Sequence, residues 1–441
     1  MTFRSMDFDG MAVGTVGDQA VRAPFAAPGE EALVEIVRAG RPATGRIASL
    51  LRKSPDTAEP RCRHFGVCGG CQWQHLAYEA QLRYKTALVR AALTPILEGQ
   101  GVTVAEAAGG EPWAYRARLQ AAFGLRGARV VAGFHAASED LRIINVRECP
   151  IQLPPNVAAL AAAREVIASL GWPVYDHAAR RGLVRGVIAQ TAGTGEVMVV
   201  LSTVADLPDR MAYVRAMREA LPPLVSLILS VQPRHTPEPL GRLILLWGRA
   251  WLDDEIAGIR LRVGAGPTVP PAPRAAAAWL EAVGASLAPG PEDTVVDTAC
   301  GDGLVPLWLA RRAGRVIGIA PDREAMHRAW EHAQLNGVAN CVFYTRAPGR
   351  IVEKLRARGE RIDAALVTSR RAPAPAALVA ALAASGVQRL ALAGSSLPLL
   401  AADLLTAQQA GFRALAVRPV DLLPQTSRIH AVVSLARGPG T

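Results

Sequence analysis

The chain has 441 residues, more than one ordinary hydrophobic core accommodates, so we expect a multidomain protein of about three domains. Its formal net charge of +11 would favour a polyanion such as RNA, but all except three of its 49 basic residues are arginine, as GC-rich coding alone produces, so the charge identifies no partner. Because no apolar run approaches the roughly 18 to 20 residues that cross a bilayer, and acidic residues stand where a signal peptide needs apolar ones, we expect a cytoplasmic protein with no membrane contact.

The first segment, residues 1–55, consists of short strand-like stretches separated by turn residues such as Asp9-Gly10 and Pro28-Gly29. Short strands at this spacing predict a small β-barrel of the OB type. One side of it is rich in basic residues, namely Arg38, Arg41, Arg46, Arg52 and Lys53. These residues are compatible with a nucleic-acid-facing surface and equally with a merely solvated barrel.

The second segment, residues 56–265, opens on a proline-containing linker and continues into a cysteine-rich stretch. Apolar residues then recur at helical spacing from Tyr78 to Leu97, which predicts an amphipathic helix. Further on, strand-like stretches such as 184–188 and 197–202 alternate with helical ones such as 156–170. The pattern predicts a mixed α/β central domain.

Four of the six cysteines form a pattern that suits a metal centre, and these are Cys62, Cys68, Cys71 and Cys149. Three of them fall within ten residues, with two glycines between the last pair, so their thiolates can converge on one soft metal centre. One remote cysteine joining a local trio favours an iron–sulfur cluster, whereas a structural zinc site with four cysteines is the alternative. Cys300 and Cys341 are expected to be small buried hydrophobic residues.

The third segment, residues 266–441, repeats the order strand, glycine-containing turn, helix. Strand-like stretches at 294–297 and 316–319 are each followed by a helical stretch, the first after a turn at 299–303. Strands alternating with helices predict a Rossmann-like, doubly wound parallel sheet. In such a sheet a ligand binds at the carboxyl ends of the strands.

The stretch from Ser54 to Lys85 contains the sequence Cys62-Arg-His-Phe-Gly-Val-Cys68-Gly-Gly-Cys71-Gln-Trp-Gln-His75. This stretch resembles the four-iron four-sulfur motif of the bacterial RNA (uracil-5-)-methyltransferases. The resemblance covers nearly the whole chain. It implies that residues 1–55 form a TRAM domain, that residues 56–265 carry a 4Fe-4S cluster, and that residues 266–441 form a class I methyltransferase domain that binds S-adenosylmethionine. It also implies an RNA partner, which we expect to be ribosomal, and we expect a monomer.

The resemblance assigns two catalytic positions, and both are substituted. In the family a cysteine adds to C6 of uracil, S-adenosylmethionine donates the methyl group, and a glutamate removes the C5 proton. Ser395 occupies the cysteine position and His430 occupies the glutamate position, in the stretch Pro424-Gln-Thr-Ser-Arg-Ile-His430. A serine without a neighbouring base is a poor nucleophile, and His430 is either a base with a pKa near neutrality or a structural residue.

The resemblance also assigns the positions of the cofactor pocket. The turn after the first strand of the third segment keeps its glycines, and its implied contacts are Asp297, Ala299, Gly301, Gly303 and Leu304. The acidic residue that would hold the ribose hydroxyls is replaced by Ala320, with Asp322 only two residues on. Pro270 and Thr368 stand where the family has its Phe-Gln-x-Asn and Asp-Pro-Pro-Arg motifs.

Together these substitutions predict a member of the family that binds RNA but has little or no uridine methylation activity. Two other functions remain open. One is a working S-adenosylmethionine-dependent RNA methyltransferase with shifted catalytic residues. The other is an iron–sulfur redox or scaffold protein with no RNA partner.

Overall fold

The computed structural model describes residues 1–137, 142–176, 178–233, 240–266, 270 and 272–438. Its N-terminal sheet has five strands in the order β1-β2-β3-β5-β4, and these are β1 (Phe3–Met6), β2 (Ala12–Val16), β3 (Gln19–Ala23), β4 (Glu31–Arg38) and β5 (Ala43–Arg52). A bridge between Thr2 and Glu31 and a hydrogen bond from the Phe3 N–H to the Glu30 carbonyl (3.0 Å) join the two edge strands. The sheet therefore closes on itself, as a small barrel requires. Its identification as a TRAM domain stays a prediction.

The next two elements pack against parts of the protein that are far from them in the sequence. Helix α1 (Tyr78–Leu97) has the bounds that the apolar spacing predicts, and strand β6 (Thr103–Val104) follows it. Strand β6 pairs in parallel with residues 416–417, and the buried face of α1 shares one hydrophobic core with the C-terminal sheet. Residues 78–108 therefore pack with the third segment, although they belong to the second segment of the sequence.

The central sheet has seven strands in the order β13-β12-β11-β10-β7-β8-β9 and carries two helices. Its elements are β7 (Arg118–Arg126), β8 (Arg129–His135), β9 (Ile143–Asn145), α2 (Pro154–Leu170), β10 (Val184–Thr191), β11 (Val197–Thr203), α3 (Arg210–Ala220), β12 (Leu224–Val231) and β13 (Arg242–Gly248). Leu119, Ala121 and Phe123 of β7 pack in one core with α2 and α3. Because side chains alternate along a strand, Arg118 and Gln120 point to the opposite face.

A hairpin of β14 (Leu252–Ile256) and β15 (Ile259–Val263) leads into the C-terminal sheet. The elements that follow are α4 (Ala276–Leu287), β16 (Thr294–Asp297), α5 (Leu304–Leu309), β17 (Arg315–Ile319), α6 (Arg323–Leu335), β18 (Cys341–Tyr344), α7 (Pro348–Ala357), β19 (Ala364–Thr368), α8 (Ala376–Ala384), β20 (Arg389–Gly394), α9 (Leu397–Gln409), β21 (Phe412–Val420) and β22 (His430–Arg437). Their strand order is β18-β17-β16-β19-β20-β22-β21-β6. Cys300 and Cys341 are buried, as predicted.

The prediction of a wholly parallel C-terminal sheet is wrong in one strand. The neighbours from β18 to β20 pair in parallel, but β22 is antiparallel to both β20 and β21. The cause is the short connection 421–429, which lets β22 return beside β21 without a crossover helix. The reversal brings the first residue of β22 to the edge where the parallel strands end. In the described part of the chain no helix is long and apolar enough to cross a membrane.

Candidate active site and candidate metal centre

A cavity of about 570 Å³ lies between the carboxyl ends of the C-terminal strands and the polar face of the central sheet, and it is called the cleft below. Eight of the ten positions predicted for cofactor and catalysis line it, namely Pro270, Asp297, Ala299, Gly301, Leu304, Thr368, Ser395 and His430. Gly303 and Ala320 are described but do not line it. The predicted positions therefore converge on one edge of the sheet, where a doubly wound fold binds its ligand.

The turn after β16 shapes one end of the cleft. Gly301 has a φ of 53°, and a side chain there would meet no atom within 4 Å, so a ligand can approach the backbone. Gly303 has a φ of 93°, and an added Cβ would lie 3.0 Å from that of Ala329 on α6. Gly301 is thus open to a ligand, whereas Gly303 serves the packing of α6.

The carboxylate of Asp297 is buried at the end of β16, and it accepts a hydrogen bond from the Ala299 N–H (3.0 Å). Burial raises the pKa of Asp297 to about 6, although the Ala299 N–H and the charge of Arg370 oppose the shift. At neutral pH this carboxylate is mostly ionised, but it takes up a proton at an unusually high pH.

Strand β17 ends without an acidic residue in the cleft. Ala320 has no carboxylate, and Asp322 caps α6 by accepting a hydrogen bond from the Ala325 N–H (2.8 Å). Neither Ala320 nor Asp322 lines the cleft. Of the stretch that aligns with the Phe-Gln-x-Asn motif, Val269 and Pro271 lie outside the described residues, and Pro270 lines the cleft.

Ser395 and His430 are brought together by the pairing of β20 with β22. The last pair in that register joins Gly394 and Ala431, so Ser395 and His430 follow it directly at the cleft edge. Among the hydrogen bonds of the described residues, none joins the two side chains, and His430 Nδ1 is buried without a partner. Burial, followed by the charges of Lys85 and Arg428, lowers the pKa of His430 to about 4.

Of the two alternatives for His430, this pKa favours the structural residue over a base that titrates near neutrality, because the buried imidazole is uncharged at pH 7 and a weak base. The unfolded chain takes up this proton below its ordinary pKa of 6.5, so the free energy of unfolding falls as the pH drops from about 6.5 to about 4. We expect His430→Gln to remove on the order of 1 to 2 kcal/mol of the stability difference between pH 7 and pH 5. Denaturant unfolding of both proteins under anaerobic conditions checks this, and equal losses in the two proteins would contradict it.

The loop that delivers His430 is held from beneath by α1. Lys85 Nζ lies 2.7 Å from Asp421 Oδ1, with both side chains fully buried. Gln81 and Gln425 exchange two hydrogen bonds of 3.0 and 2.9 Å, and the Gln425 carbonyl accepts from the Trp73 N–H (3.0 Å). The loop 421–429 is therefore fixed to both α1 and the end of the cysteine-rich stretch.

A second cavity, of about 260 Å³, is lined by all four predicted cysteines and is called the cysteine cavity. The local trio reaches the central sheet through a bridge between Cys68 and Ala136 and a hydrogen bond from the Gly69 N–H to the His135 carbonyl (3.1 Å). Burial, opposed by a hydrogen bond with Gln74 and aided by the charges of the other three cysteines, raises the pKa of Cys71 to about 12. The four thiols thus face a common cavity, where burial opposes their ionisation.

Hydrogen-bond donors also surround these sulfur atoms. The Gly70 N–H lies 3.4 Å from Cys68 Sγ, and the N–H groups of Ile151 and Gln152 oppose the burial that raises the pKa of Cys149 to about 11. Within the described residues, no group of three or more histidine, cysteine, aspartate or glutamate side chains is arranged to hold a metal ion. Four cysteine thiols with N–H donors around them form a donor set that suits an iron–sulfur cluster.

Three residues belong to the walls of both cavities: Arg116, Phe134 and Gln152. The cysteine cavity therefore lies directly behind the cleft. Arg116, Arg118, Gln120 and Gln190 line the cleft and are not among the site residues that the sequence predicts. The alternation along β7 separates its polar and apolar faces, but only the packing of the two sheets shows that the polar face meets the cleft.

A Rossmann-like sheet with a glycine turn and a ligand cleft at its carboxyl edge has the architecture of a class I methyltransferase. The fold agrees with that of the Pyrococcus abyssi tRNA (uracil-54, C5)-methyltransferase in complex with S-adenosyl-L-homocysteine, at a TM-score of 0.80 and 21% identity over 99% of this chain and 98% of that one. In sequence, the chain is 32% identical to an uncharacterised RNA methyltransferase of Halalkalibacterium halodurans, over 99% of this chain and 96% of the relative. It is 30% identical to one of Listeria monocytogenes over the same shares.

The chain therefore belongs to the RNA methyltransferase family. No model of a protein family matches the sequence.

Proposed function

We propose that this chain is an RNA-binding member of the uracil-C5 branch of the family, with ribosomal RNA as its partner, and that its uridine methylation is lost or much reduced. The observation that supports this most is that the predicted site positions converge on one cleft while their side chains differ from those that the family resemblance implies. Ser395, His430 and Thr368 line it where the family has cysteine, glutamate and aspartate. A cytoplasmic monomer fits this role.

The reaction at C5 of uracil requires a nucleophile that adds to C6 and a base that removes the C5 proton. A serine hydroxyl is scarcely ionised at neutral pH, and the imidazole beside it has a pKa of about 4, too low to take the serine proton efficiently. The two groups thus lack the matched pKa values that an activated pair needs. An active enzyme with shifted residues is the second candidate, favoured by the adjacency of Ser395 and His430.

S-adenosylmethionine would supply the methyl group when bound. The Gly301 backbone and Asp297 line the cleft and would hold it, but Ala320 at the end of β17 has no carboxylate for its ribose hydroxyls. We therefore propose weak cofactor binding. Calorimetry of the folded protein with S-adenosylmethionine separates the two candidates, because tight binding at micromolar ligand would support the active enzyme and contradict weak binding.

We further propose that Cys62, Cys68, Cys71 and Cys149 hold a 4Fe-4S cluster. In such a cluster each thiolate binds a different iron, so the sulfur atoms stand farther apart than the four ligands that share one zinc ion at about 2.3 Å. What supports this proposal is the donor set itself: all four cysteines line the cysteine cavity, and the Gly70 N–H lies 3.4 Å from Cys68 Sγ. Held there, the cluster would join the cysteine-rich stretch to the central sheet behind the cleft.

An RNA partner distinguishes this proposal from a redox or scaffold protein. The TRAM-like barrel would supply one RNA-binding surface with its basic residues, and the cleft another. Crosslinking of the full chain to RNA in living cells, followed by sequencing of the bound RNA, tests this. We expect enrichment of ribosomal RNA, and recovery no higher than that of an unrelated arginine-rich protein would favour the redox or scaffold alternative.

A further inference from the structure

The wall that the central sheet contributes to the cleft carries two arginines with unsatisfied donors. Arg118 donates from Nη1 to Gln190 Oε1 (2.8 Å), while its Nη2 is buried and meets no partner among the described residues. Arg116 Nε is likewise buried without a partner in the described part of the chain. Both residues are half-buried and line the cleft, so a small side-chain rotation would present these donors to a ligand there.

No carboxylate in the described part of the cleft neutralises Arg118. The acidic residues that line the cleft there are Asp297 and Asp302, and Asp302 is paired with Arg328 at 2.9 Å. Asp297 lies on the opposite wall, where Arg370 is the cation that acts on it. Burial alone lowers the pKa of Arg118 to about 10, with no acidic group opposing the shift. A guanidinium desolvated in this way is costly unless an anion meets it.

The chemistry of that anion follows from the donors. Guanidinium groups bind the oxygen atoms of phosphate and carboxylate through several hydrogen bonds at once. Gln120 and Gln190 add amide groups beside Arg118 on the same face of β7 and β10. The glycine turn that would approach a nucleotide cofactor belongs to the C-terminal sheet. The wall formed by the central sheet is therefore available to a second ligand, the substrate.

We propose that Arg118, supported by Arg116, forms an oxyanion subsite for a phosphodiester group of the RNA strand that enters the cleft. This inference rests on the proposed RNA-binding function. The subsite holds the backbone next to the nucleotide in the cleft and contributes electrostatic affinity that is independent of base identity. Its second role in the fold is to place positive charge on the side of the cleft opposite Asp297.

The test measures the affinity of the full-length, cluster-loaded protein for heptauridylate at several salt concentrations. We expect Arg118→Gln to weaken binding about tenfold and to reduce the slope of log affinity against log salt by about 0.7, the value for one phosphate contact to a single strand. Arg118→Lys keeps the charge and is expected to keep the slope. The matched control is Arg215→Gln on α3, an exposed arginine of the helix that covers the other face of the sheet, and it is expected to bind as the wild type does.

Three outcomes would overturn the inference. An unchanged slope in Arg118→Gln, with normal RNA binding by the wild type, contradicts the subsite alone. If Arg118→Gln loses binding of S-adenosyl-L-homocysteine but keeps its RNA affinity, the subsite binds the carboxylate of the cofactor instead of a phosphodiester. No binding of heptauridylate or ribosomal RNA by the folded wild type contradicts both the subsite and the proposed function, and is therefore distinguishable from the first two outcomes.

Discussion

Replacing Cys71 with alanine is expected to abolish the iron content of the protein, from about four iron atoms and four sulfide ions per chain in the wild type to nearly none. Cys71 lines the cysteine cavity and stands two residues before Trp73, which is fully buried between the barrel and α1. Loss of one of four thiolates exposes the cluster to dissociation. Iron and sulfide analysis after anaerobic purification measures the effect.

The control for this experiment is Cys341→Ala. Cys341 is also buried and free, but it lies on β18 in the core of the C-terminal sheet and does not line the cysteine cavity. We expect this variant to keep its full iron content. A wild type that carries zinc without sulfide would contradict the cluster, and equal iron loss in the two variants would show that the effect of Cys71→Ala is not that of a ligand.

Replacing Lys85 with methionine is expected to lower the free energy of unfolding by about 3 to 5 kcal/mol. The substitution keeps the length of the side chain but leaves the carboxylate of Asp421 buried without its cation, and Asp421 Oδ2 already has no hydrogen-bond partner among the described residues. The penalty is that of an uncompensated buried charge. Denaturant unfolding of the two proteins at one pH measures it.

Two further variants separate this effect from a simple loss of packing. The double variant Lys85→Met/Asp421→Leu removes both charges and is expected to recover most of the lost stability. The exposed ion pair between Arg90 on the same helix and Glu106 beyond β6, at 2.7 Å, provides the control, and Arg90→Met is expected to change stability by no more than about 1 kcal/mol. A double variant as unstable as Lys85→Met would contradict this explanation.

Local patterns in the sequence predict those parts of the fold that depend on neighbouring residues. The apolar spacing of 78–97 gives the bounds of α1, and the strand-turn-helix pattern after residue 294 predicts the parallel strands and the edge where the site forms. Both signals are local because a helix and a strand each expose one periodic face.

Long-range pairing could not be predicted in the same way. Nothing in residues 103–104 indicates that they extend a sheet formed some 300 residues later, and the reversal of β22 depends on a short loop held by Gln81 and Lys85. The same limit applies to the site. The residue types at positions 395 and 430 can be read from the sequence. The low pKa of His430, however, arises from its burial and from the charge of Lys85, which is far from His430 in the sequence.

The central claim, that the chain has kept the cleft of its family and lost its uridine methylation, is tested most directly by quantifying 5-methyluridine in ribosomal and transfer RNA. The comparison is between a strain that lacks the gene and its parent. We predict that every 5-methyluridine site is retained at the parental level. Loss of methylation at one site, restored by the wild-type gene, would contradict the account.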